Sequence, residues 1–555
     1  MAPVWVVVAI RAFFWGKLVS GDRKRKLKTQ VLLIGGGATG SGLARDLSLR
    51  GVSCILVERK HINAGASGAN HGLLHSGARY VSTDPEVAKE CRKEAEILKK
   101  FAPQCIEDTG GFFVAVEGDD EKYVADFPQL CSRCGIRCDA VPIEEARELE
   151  PCLSGRIIAA YFVEDASIDP FRLSLENISH ARELGTTLLC HTRVRGFKKS
   201  GRRIQSVQLI DELSGEETIV EAREVVNASG AWGAEVSALA GVSIDMHYSK
   251  GSLLVTNRRL TKRVINRLRP PADGDILVPG GTVSILGTTS VRVESLELIR
   301  PTVEEVDLIV NEGAAMLPLL ETTRYIRAYA GVRPLISPET ERDDRTVSRG
   351  FTLLDHSLEG LENFVSIPGG KLTTYRLMAE KTTDLICDRL GVSRPCLTRT
   401  QMLPSSMLSS WTAPVAAPRT WLRDHDPENL LLCECEMVPK SVVDLLMDGL
   451  QEQDETPELN TLSRHSRIGK GQCQGTFCGF RVTAHMHEKG GLTPSLDGLG
   501  DFLRERWWGE RAVLWGNQLI QAELKEALYT GLCDLDLTLH PKKEKASRIW
   551  LDQNP

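Results

Sequence analysis

Four cysteines near the C-terminal end of the chain form two closely spaced pairs. One residue separates Cys433 from Cys435, and four residues separate Cys473 from Cys478. Four thiolates at one place suit either tetrahedral zinc or an iron-sulfur centre. Zinc ribbons usually have two residues between the paired cysteines, and here the second pair is surrounded by glycines, whose backbone N–H groups can approach cluster sulfurs. The spacing favours an iron-sulfur cluster over zinc, and either centre over a coincidental set of buried cysteines.

The other end of the chain carries a glycine-rich turn between a predicted strand and a predicted helix. The apolar run 30–34 is typical of a buried parallel strand. After it, Gly35 permits a tight turn, Gly37 lets a pyrophosphate approach the backbone, and Gly40 lets the helix pack on the strand. Glu58 ends the next apolar run, at the distance expected of a carboxylate that holds an adenosine ribose. Together these features predict a dinucleotide fold rather than an ordinary turn, without separating FAD from NAD.

The composition fits a soluble enzyme. A length of 555 residues predicts about three to four domains. The net charge of -6 arises from well-mixed acidic and basic residues, so no nucleic-acid partner is expected from bulk charge. The fifteen cysteines are scattered and odd in number, and no cleavable signal peptide is convincing. Reduced thiols and a cytoplasmic location are therefore expected.

Residues 1–27 are predicted to form an extension ahead of the first domain. Their apolar stretches are interrupted by Arg11 and followed by the basic run 23–26. The segment is short and broken for a membrane-spanning helix. An extension outside the fold is the favoured interpretation, and a segment lying on a membrane surface is the alternative.

A loop of small and polar residues follows the predicted nucleotide fold. It contains Ser67, Asn70, His71, His75 and Arg79 among several glycines and alanines. Small residues can admit a flat ring, while the amide, imidazole and guanidinium groups can form hydrogen bonds to it. A surface loop with incidental histidines is the alternative. The position directly after the nucleotide fold favours a role in binding a flavin.

Two later strands also run into glycine turns. The segment 224–232 contains Gly230, and the segment 364–376 contains Gly370 and Thr373. Flavoproteins close the far side of FAD with a turn of the first type, and the helix N-terminus of the second can offer its positive end to a reduced flavin. The chain is thus predicted to contact one cofactor in three separate segments. This predicts a discontinuous FAD domain, with the intervening segments forming a substrate lid.

Combined with the cysteine tail, these segments resemble one enzyme family. The sequences HGLLHSGARY, SKGSLLV, GVRPL and GGKLTTYRLMAE resemble the catalytic A subunits of anaerobic FAD-dependent glycerol-3-phosphate dehydrogenases, over residues 29–534. The tail resembles the 2Fe-2S domain of bacterioferritin-associated ferredoxin. The resemblance implies FAD, oxidation of sn-glycerol 3-phosphate to dihydroxyacetone phosphate, and electron delivery through a 2Fe-2S cluster and partner subunits to quinone. It also implies peripheral association with the cytoplasmic membrane.

The same resemblance implies a set of substrate residues. Arg79, Arg333 and Lys371 match positions that line the substrate site, and all three follow glycine-containing turns. A phosphate dianion needs several cations, and arginine can bind it in a fork. Single-subunit aerobic relatives carry a histidine two residues after a Lys-Gly pair. Here Lys250-Gly251 is followed by Ser252 and Leu253, which favours the anaerobic branch. The base for the hydroxyl proton is predicted to be His75, or Lys371 with a lowered pKa.

The predicted fold class is α/β, with a discontinuous Rossmann-type FAD domain, an inserted α+β substrate domain and a small C-terminal iron-sulfur domain. The predicted division is a FAD domain over 28–85, 150–245 and 325–395, a substrate domain over 86–149 and 246–324, a linker over 396–429, a 2Fe-2S domain over 430–485 and a helical region over 486–555.

Two other functions use the same features. A flavin-dependent amino-acid-type oxidase would share the FAD fold but needs no iron-sulfur tail, since oxygen accepts its electrons. A non-catalytic electron-carrier scaffold would keep the cluster, and bound FAD that substrate can reduce would exclude it.

Overall fold

The computed structural model describes residues 25–336, 350–453, 455–490, 496–533 and 535. Residues 1–24 of the predicted extension and residues 536–555 of the predicted C-terminal region lie outside these ranges. The first strand begins at Arg25, because residues 25–29 pair in parallel with residues 218–222. The extension predicted over 1–27 therefore ends three residues too late.

Within the described residues, the strands and helices have the following bounds. The strands are β1 Arg25–Ile34, β2 Cys54–Val57, β3 Leu73–Leu74, β4 Ile106–Glu107, β5 Gly111–Val116, β6 Asp139–Ala140, β7 Ile157–Val163, β8 Ala166–Ile168, β9 Thr187–Leu189, β10 Thr192–Ser200, β11 Arg203–Asp211, β12 Glu217–Asn227, β13 His247–Thr256, β14 Val264–Arg267, β15 Ile276–Gly280, β16 Val283–Gly287, β17 Val291–Val293, β18 Tyr325–Leu335, β19 Leu354–Asp355, β20 Phe364–Ser366, β21 Leu431–Cys433 and β22 Val438–Pro439. The α-helices are α1 Ala38–Leu49, α2 Pro85–Phe101, α3 Glu121–Arg133, α4 Ile143–Leu149, α5 Pro170–Glu183, α6 Gly233–Leu239, α7 Val303–Met316, α8 Tyr375–Leu390, α9 Met407–Ser410, α10 Ala416–Asp424, α11 Lys440–Gln451, α12 Leu459–His465, α13 Cys478–Glu488, α14 Leu496–Arg511 and α15 Asn517–Cys533. None of the helices in the described part of the chain is both long enough and apolar enough to cross a membrane.

The first sheet is a parallel layer with an antiparallel extension. Its strand order is β10-β11-β12-β1-β2-β9, and β20 pairs with β12. The apolar end of β1 is buried between β12 and β2, both parallel to it. Helices α1, α5 and α8 pack together on this sheet. The connections leaving β1 and β12 run to opposite sides, so their carboxyl ends form the switch point at which α/β sheets bind ligands.

The second sheet supplies the wall opposite that switch point. Its order is β17-β13-β16-β15-β14-β5-β7-β6, with β18 pairing β13. It is antiparallel except where β14 runs parallel to β5, and α7 covers one face. Two of its strands, β7 and β18, fall in segments that the predicted division gives to the FAD domain. Their pairing with β5 and β13 places them in the second sheet instead.

The C-terminal part has its own apolar core. Leu446 of α11, Val482 of α13 and Phe502 of α14 are fully buried in one cluster beside the β21–β22 hairpin. The predicted cysteine domain and the predicted helical region after it thus share one core. The segment predicted as a linker contains the two short helices α9 and α10.

Candidate active site

The turn between β1 and α1 is built by the predicted glycines. Gly35 has a φ of 111°, in the left-handed region that favours glycine. A Cβ atom on Gly40 would lie 1.9 Å from the Gly35 carbonyl oxygen, so only glycine lets the helix approach the strand this closely. A Cβ on Gly37 would lie 2.9 Å from Ser67 Oγ, which accepts a hydrogen bond from the Ala38 N–H at 2.9 Å. The first turn of α1 therefore faces a surface of small residues, where a phosphate can approach.

Glu58 lies beside this turn, at the end of β2. Its Oε2 accepts a hydrogen bond from the Gly36 N–H at 2.7 Å, and its Oε1 accepts one from the Lys60 N–H at 2.8 Å. Next to it, the Arg59 guanidinium lies 4.9 Å from the centre of the Trp232 ring. Sequence reasoning missed this cation–π pair, because Arg59 and Trp232 are 173 positions apart in the printed sequence and only the fold brings them together.

One cavity of about 660 Å³ lies between the two sheets. It is lined by twelve of the fourteen residues predicted for the flavin and the substrate: Gly35, Gly37, Glu58, Ser67, Asn70, His71, His75, Arg79, Gly230, Arg333, Gly370 and Lys371. The other two lie behind its wall. Gly40 packs against the turn, and the buried Thr373 hydroxyl accepts a hydrogen bond from the His75 N–H at 3.1 Å.

The cavity lining is rich in positive charge. Its cations are Arg59, Lys60, Arg79, Arg193, Arg333 and Lys371, and its carboxylates are Glu58, Asp84 and Glu235. A cavity with six cations and three carboxylates suits a ligand that carries several negative charges. A pyrophosphate and a second phosphate or carboxylate both meet that requirement.

Asn70 acts on the loop itself. Its Nδ2 donates to the Ser67 carbonyl at 2.7 Å, and its Oδ1 accepts from the Gly72 N–H at 2.7 Å. The Tyr329 hydroxyl of β18 donates to the Asn70 carbonyl at 2.7 Å. The amide therefore fixes the shape of the loop, and the second sheet anchors it.

The guanidinium of Arg79 is fixed by a hydrogen bond to the buried carboxylate of Asp275. Its Nη2 donates to Asp275 Oδ2 at 3.0 Å and to the Ala272 carbonyl at 3.3 Å. Asp275 is 1 % exposed. The Nη1 atom of Arg79 is buried and has no hydrogen-bond partner in the described structure. Half of the guanidinium fork is thus fixed, and the other half is an unsatisfied donor at the cavity wall.

Arg333 lies across the neighbouring strand. Its Nη1 donates to the Thr289 carbonyl at 3.2 Å, and its Nη2 donates to the Thr288 hydroxyl. A Cβ on Gly251 would lie 2.4 Å from Nη2 and 2.7 Å from Nη1. Gly251 therefore leaves the space in which the guanidinium lies. Lys250, one residue earlier, points away and forms a buried ion pair with Glu305 at 2.8 Å.

Two neutral histidines stand among these cations. Burial, with Arg333 and Arg79 adding to it, lowers the pKa of His71 to about 3. Burial also holds the pKa of His75 well below its ordinary value, and the nearby His71, Lys371 and Arg79 lower it further. The two ring centres are 6.2 Å apart. The Nδ1 atom of His71 is buried without a hydrogen-bond partner in the described structure. Both rings are therefore unprotonated near neutral pH.

Lys371 closes this end of the cavity. Its ammonium lies 4.4 Å from the centre of the Tyr80 ring. The His75 ring also contacts that tyrosine, with ring centres 5.3 Å apart and the planes tilted by 60°. The Lys371 N–H donates to Thr374 Oγ1 at 3.2 Å, in the turn that starts α8. The segment with Gly370 thus brings a cation to the end of the cavity that His75 lines.

The four cysteines predicted as metal ligands meet in the C-terminal part. Cys433 Sγ is 3.9 Å from Cys435 Sγ, which is 3.6 Å from Cys473 Sγ. Cys478 contacts both Cys433 and Cys473, which closes a ring of four sulfurs. No three of these four sulfur atoms all lie within 4.8 Å of one another. The ring is therefore open across its diagonals, with Cys435 exposed at its edge.

Comparison with known proteins places the chain in a family. Residues 30–385 match the family model described as FAD dependent oxidoreductase. The A subunit of the anaerobic glycerol-3-phosphate dehydrogenase of Escherichia coli (strain K12) is 42% identical over 531 residues, which cover 92% of this chain and 97% of the relative. The A1 subunit of that enzyme from Haloferax volcanii is 37% identical and covers 92% of both chains.

Solved structures agree on the fold. The glycerol-3-phosphate dehydrogenase from Bacillus halodurans complexed with FAD superposes with a TM-score of 0.64 at 19% identity, covering 88% of this chain and 96% of the other. The glycine oxidase from Geobacillus kaustophilus superposes with a TM-score of 0.55 at 19% identity, covering 65% of this chain and 95% of the oxidase. At these identities the likeness concerns the fold alone, and it confirms the predicted Rossmann-type α/β architecture.

The fold, the glycine cradle and the cationic cavity define an FAD dependent oxidoreductase. A Cβ on Gly35, Gly37 or Gly40 would lie less than 3 Å from a neighbouring protein atom, so the turn packs as closely as a dinucleotide-binding turn requires. Within that class, the chain belongs to the family of the anaerobic glycerol-3-phosphate dehydrogenase A subunits. The family predicted from the sequence is thereby confirmed.

Proposed function

We propose that this enzyme oxidises sn-glycerol 3-phosphate to dihydroxyacetone phosphate, and that the electrons leave through a 2Fe-2S cluster on the four cysteines. The observation that carries the first part is the meeting of Arg79, Arg333 and Lys371 with His71 and His75 in one cavity. FAD bound in this cavity would accept the hydride of the substrate. The relatives that are named glycerol-3-phosphate dehydrogenase support the choice of substrate.

The cations hold the phosphate end of the substrate. The free half of the Arg79 fork comes from the short turn 78–80 and the guanidinium of Arg333 comes from β18, so the two can hold a phosphate between separate parts of the chain. Hydrogen bonds from Arg79 to Asp275, and from Arg333 to Thr288 and Thr289, keep the two guanidinium groups in place before the ligand arrives. Such preorganisation reduces the entropy that binding would cost.

The imidazoles take the hydroxyl proton. We assign the proton acceptor to His75, and His71 is a second group of the same kind. In the absence of a ligand, burial first and the nearby cations second hold their pKa values low. A bound phosphate dianion would offset the charge of Arg79, which lowers both pKa values, and the charge of Arg333, which lowers the pKa of His71, and so would raise both pKa values. The substrate thereby improves the base that acts on it, and a substrate without the phosphate would not.

A comparison of substrates tests this assignment. With an artificial electron acceptor, we expect kcat/KM for glycerol to be lower than for glycerol 3-phosphate by about 10² to 10⁴, because at least two charge-assisted contacts of about 1.5–3 kcal/mol each are lost. Glycine, the substrate expected of an amino-acid-type oxidase, should not react. Equal turnover of glycerol and glycerol 3-phosphate, or faster turnover of glycine, would contradict the proposal.

The four thiolates meet in one ring, which suits a metal centre bound by thiolates. The sequence spacing of the two cysteine pairs favours iron-sulfur over zinc at that centre. A cluster bound there would carry single electrons toward partner subunits and the quinone pool, and we propose peripheral attachment to the cytoplasmic membrane through those subunits.

Replacing one ligand separates the two halves of the proposal. In Cys435→Ser we expect FAD to stay bound and reducible by substrate, while iron and acid-labile sulfide fall together and quinone reduction through the partner subunits stops. Serine is a poor ligand for iron in a thiolate site. Cys152→Ser is the matched control, because that thiol lies between α4 and β7, outside the cysteine ring, and contacts the Leu260 carbonyl. A full 2Fe-2S spectrum in Cys435→Ser, or zinc without iron in the unmodified protein, would refute the cluster.

A further inference from the structure

Three side chains that bind metals elsewhere meet at a second place, outside the flavin cavity and the cysteine ring. The Nε2 atoms of His61 and His191 lie 3.6 and 3.8 Å from the Oε2 atom of Glu458, and the three atoms all lie within 4.8 Å of one another. The two imidazole rings are perpendicular, with centres 4.4 Å apart. All three side chains are partly buried.

Direct bonds between these groups do not account for the arrangement. Both nitrogen–oxygen distances exceed the range of a hydrogen bond. Two imidazoles and a carboxylate are thus held together at a spacing slightly larger than the edge of a tetrahedral zinc site with nitrogen and oxygen ligands, which is about 3.4 Å.

The second layer around His61 also favours a ligand role. Its Nδ1 lies 3.4 Å from the Thr461 hydroxyl. In the tautomer in which Nδ1–H donates to that hydroxyl, Nε2 keeps its lone pair on the side of Glu458, as a metal ligand requires. The charge of Arg464 opposes a cation, but Glu505 and Glu58 offset that charge together with Glu458.

We infer that His61, His191 and Glu458 form a binding site for a divalent transition-metal ion, with zinc as the best-suited occupant. Two imidazoles and one carboxylate are a ligand set that zinc accepts, with a fourth position left for water. The ligands come from three separate stretches of chain. His61 follows β2, His191 lies between β9 and β10, and Glu458 precedes α12 of the C-terminal part. A bound ion would therefore clamp the first sheet to the part that carries the four cysteines, independently of the flavin reaction.

Zinc binding by the FAD-containing full-length protein tests this site. After equilibration with zinc chloride and dialysis, we expect one zinc ion per chain with only nitrogen and oxygen neighbours at about 2.0–2.2 Å in its X-ray absorption spectrum, since zinc on the cysteines would show sulfur at about 2.3 Å. His191→Ala and Glu458→Gln should weaken this binding at least tenfold. His487→Ala, which removes an exposed histidine of α13, should bind as the unmodified protein does.

The spectrum of the unmodified protein requires no variant, so the test survives a variant that fails to fold. Zinc bound only through sulfur would overturn the site, as would no retained zinc with nitrogen and oxygen neighbours. Equal affinity in the unmodified protein, His191→Ala and Glu458→Gln would overturn it as well.

Discussion

The guanidinium of Arg333 lies over Gly251, so substitutions at these two positions make a paired prediction about the phosphate site. Arg333→Ala removes the charge, while Gly251→Ala keeps the charge but adds a Cβ only 2.4 Å from the present position of Nη2. Gly251 has no positive φ, so alanine is compatible with its backbone. Both changes should therefore weaken the hold on the phosphate without disturbing the strand.

The expected magnitudes follow from the contacts. A lost charge-assisted hydrogen bond costs about 1.5–3 kcal/mol, so Arg333→Ala should lower kcat/KM for glycerol 3-phosphate by about 10- to 150-fold. Gly251→Ala displaces the guanidinium rather than deleting it and should cost less, about 1 kcal/mol or a factor of five. FAD content should be unchanged, because Arg333 and Gly251 lie on the second sheet, away from the β1–α1 turn.

A double-mutant cycle decides whether the two effects share one cause. We would measure kcat/KM with glycerol 3-phosphate and with glycerol for both single variants and the double variant. With Arg333 absent, Gly251→Ala has nothing to displace, so the double variant should match Arg333→Ala. Arg195→Ala, an exposed arginine on the first sheet paired with Glu217, is the control and should behave as the unmodified enzyme.

Additive losses in the cycle would refute this reasoning, because they would mean that the alanine at 251 acts elsewhere. A loss of equal size with glycerol would also refute it, since glycerol has no phosphate for the arginine to hold. Loss of FAD from Arg333→Ala would show that this residue serves the cofactor instead.

Two further predictions concern stability and cofactor binding. Burial, together with the charges of Lys470 and Arg464, lowers the pKa of His465 to about 4. The unfolded chain therefore protonates this histidine near pH 6.5, and the folded chain only near pH 4. The contribution to stability is complete above pH 6.5 and falls below it, by about 2 kcal/mol at pH 5. The melting temperature of His465→Gln should fall less between pH 7 and pH 5 than that of the unmodified protein or of His487→Gln, and equal falls would contradict the burial argument. Gly40→Ala should lose FAD and melt at a lower temperature, because its Cβ would lie 1.9 Å from the Gly35 carbonyl oxygen. In the control Gly155→Ala the new Cβ meets nothing within 4 Å, so FAD content and melting temperature should not change. Retained FAD in Gly40→Ala would contradict the role of the turn.

Features encoded by neighbouring residues could be predicted from the sequence. The strand, glycine turn and helix around Gly35 are local, as is the glycine turn at Gly370, whose positive φ the structure adds. The loop with His71 and His75 was recognisable because small residues and hydrogen-bonding groups alternate in it. Local signals of this kind survive folding because tertiary contacts add to them rather than replace them.

Features that depend on pairing between distant strands could not be predicted. Gly251 lies opposite Gly331 in the β13–β18 pair, and that register places Arg333 over it. Asp275 supports Arg79 from almost two hundred positions away, and nothing in its neighbourhood marks it. The predicted domain boundaries differ from the sheets for the same reason, since β7 and β18 are assigned by their hydrogen-bonding partners and not by their own composition.

Anaerobic titration of the FAD-containing enzyme with sn-glycerol 3-phosphate tests the central claim most directly. The flavin absorbance should bleach as substrate is added and dihydroxyacetone phosphate should appear in equal amount, while glycerol and glycine leave the spectrum unchanged. Flavin that stays oxidised with glycerol 3-phosphate, or that is bleached by glycine instead, would contradict the account.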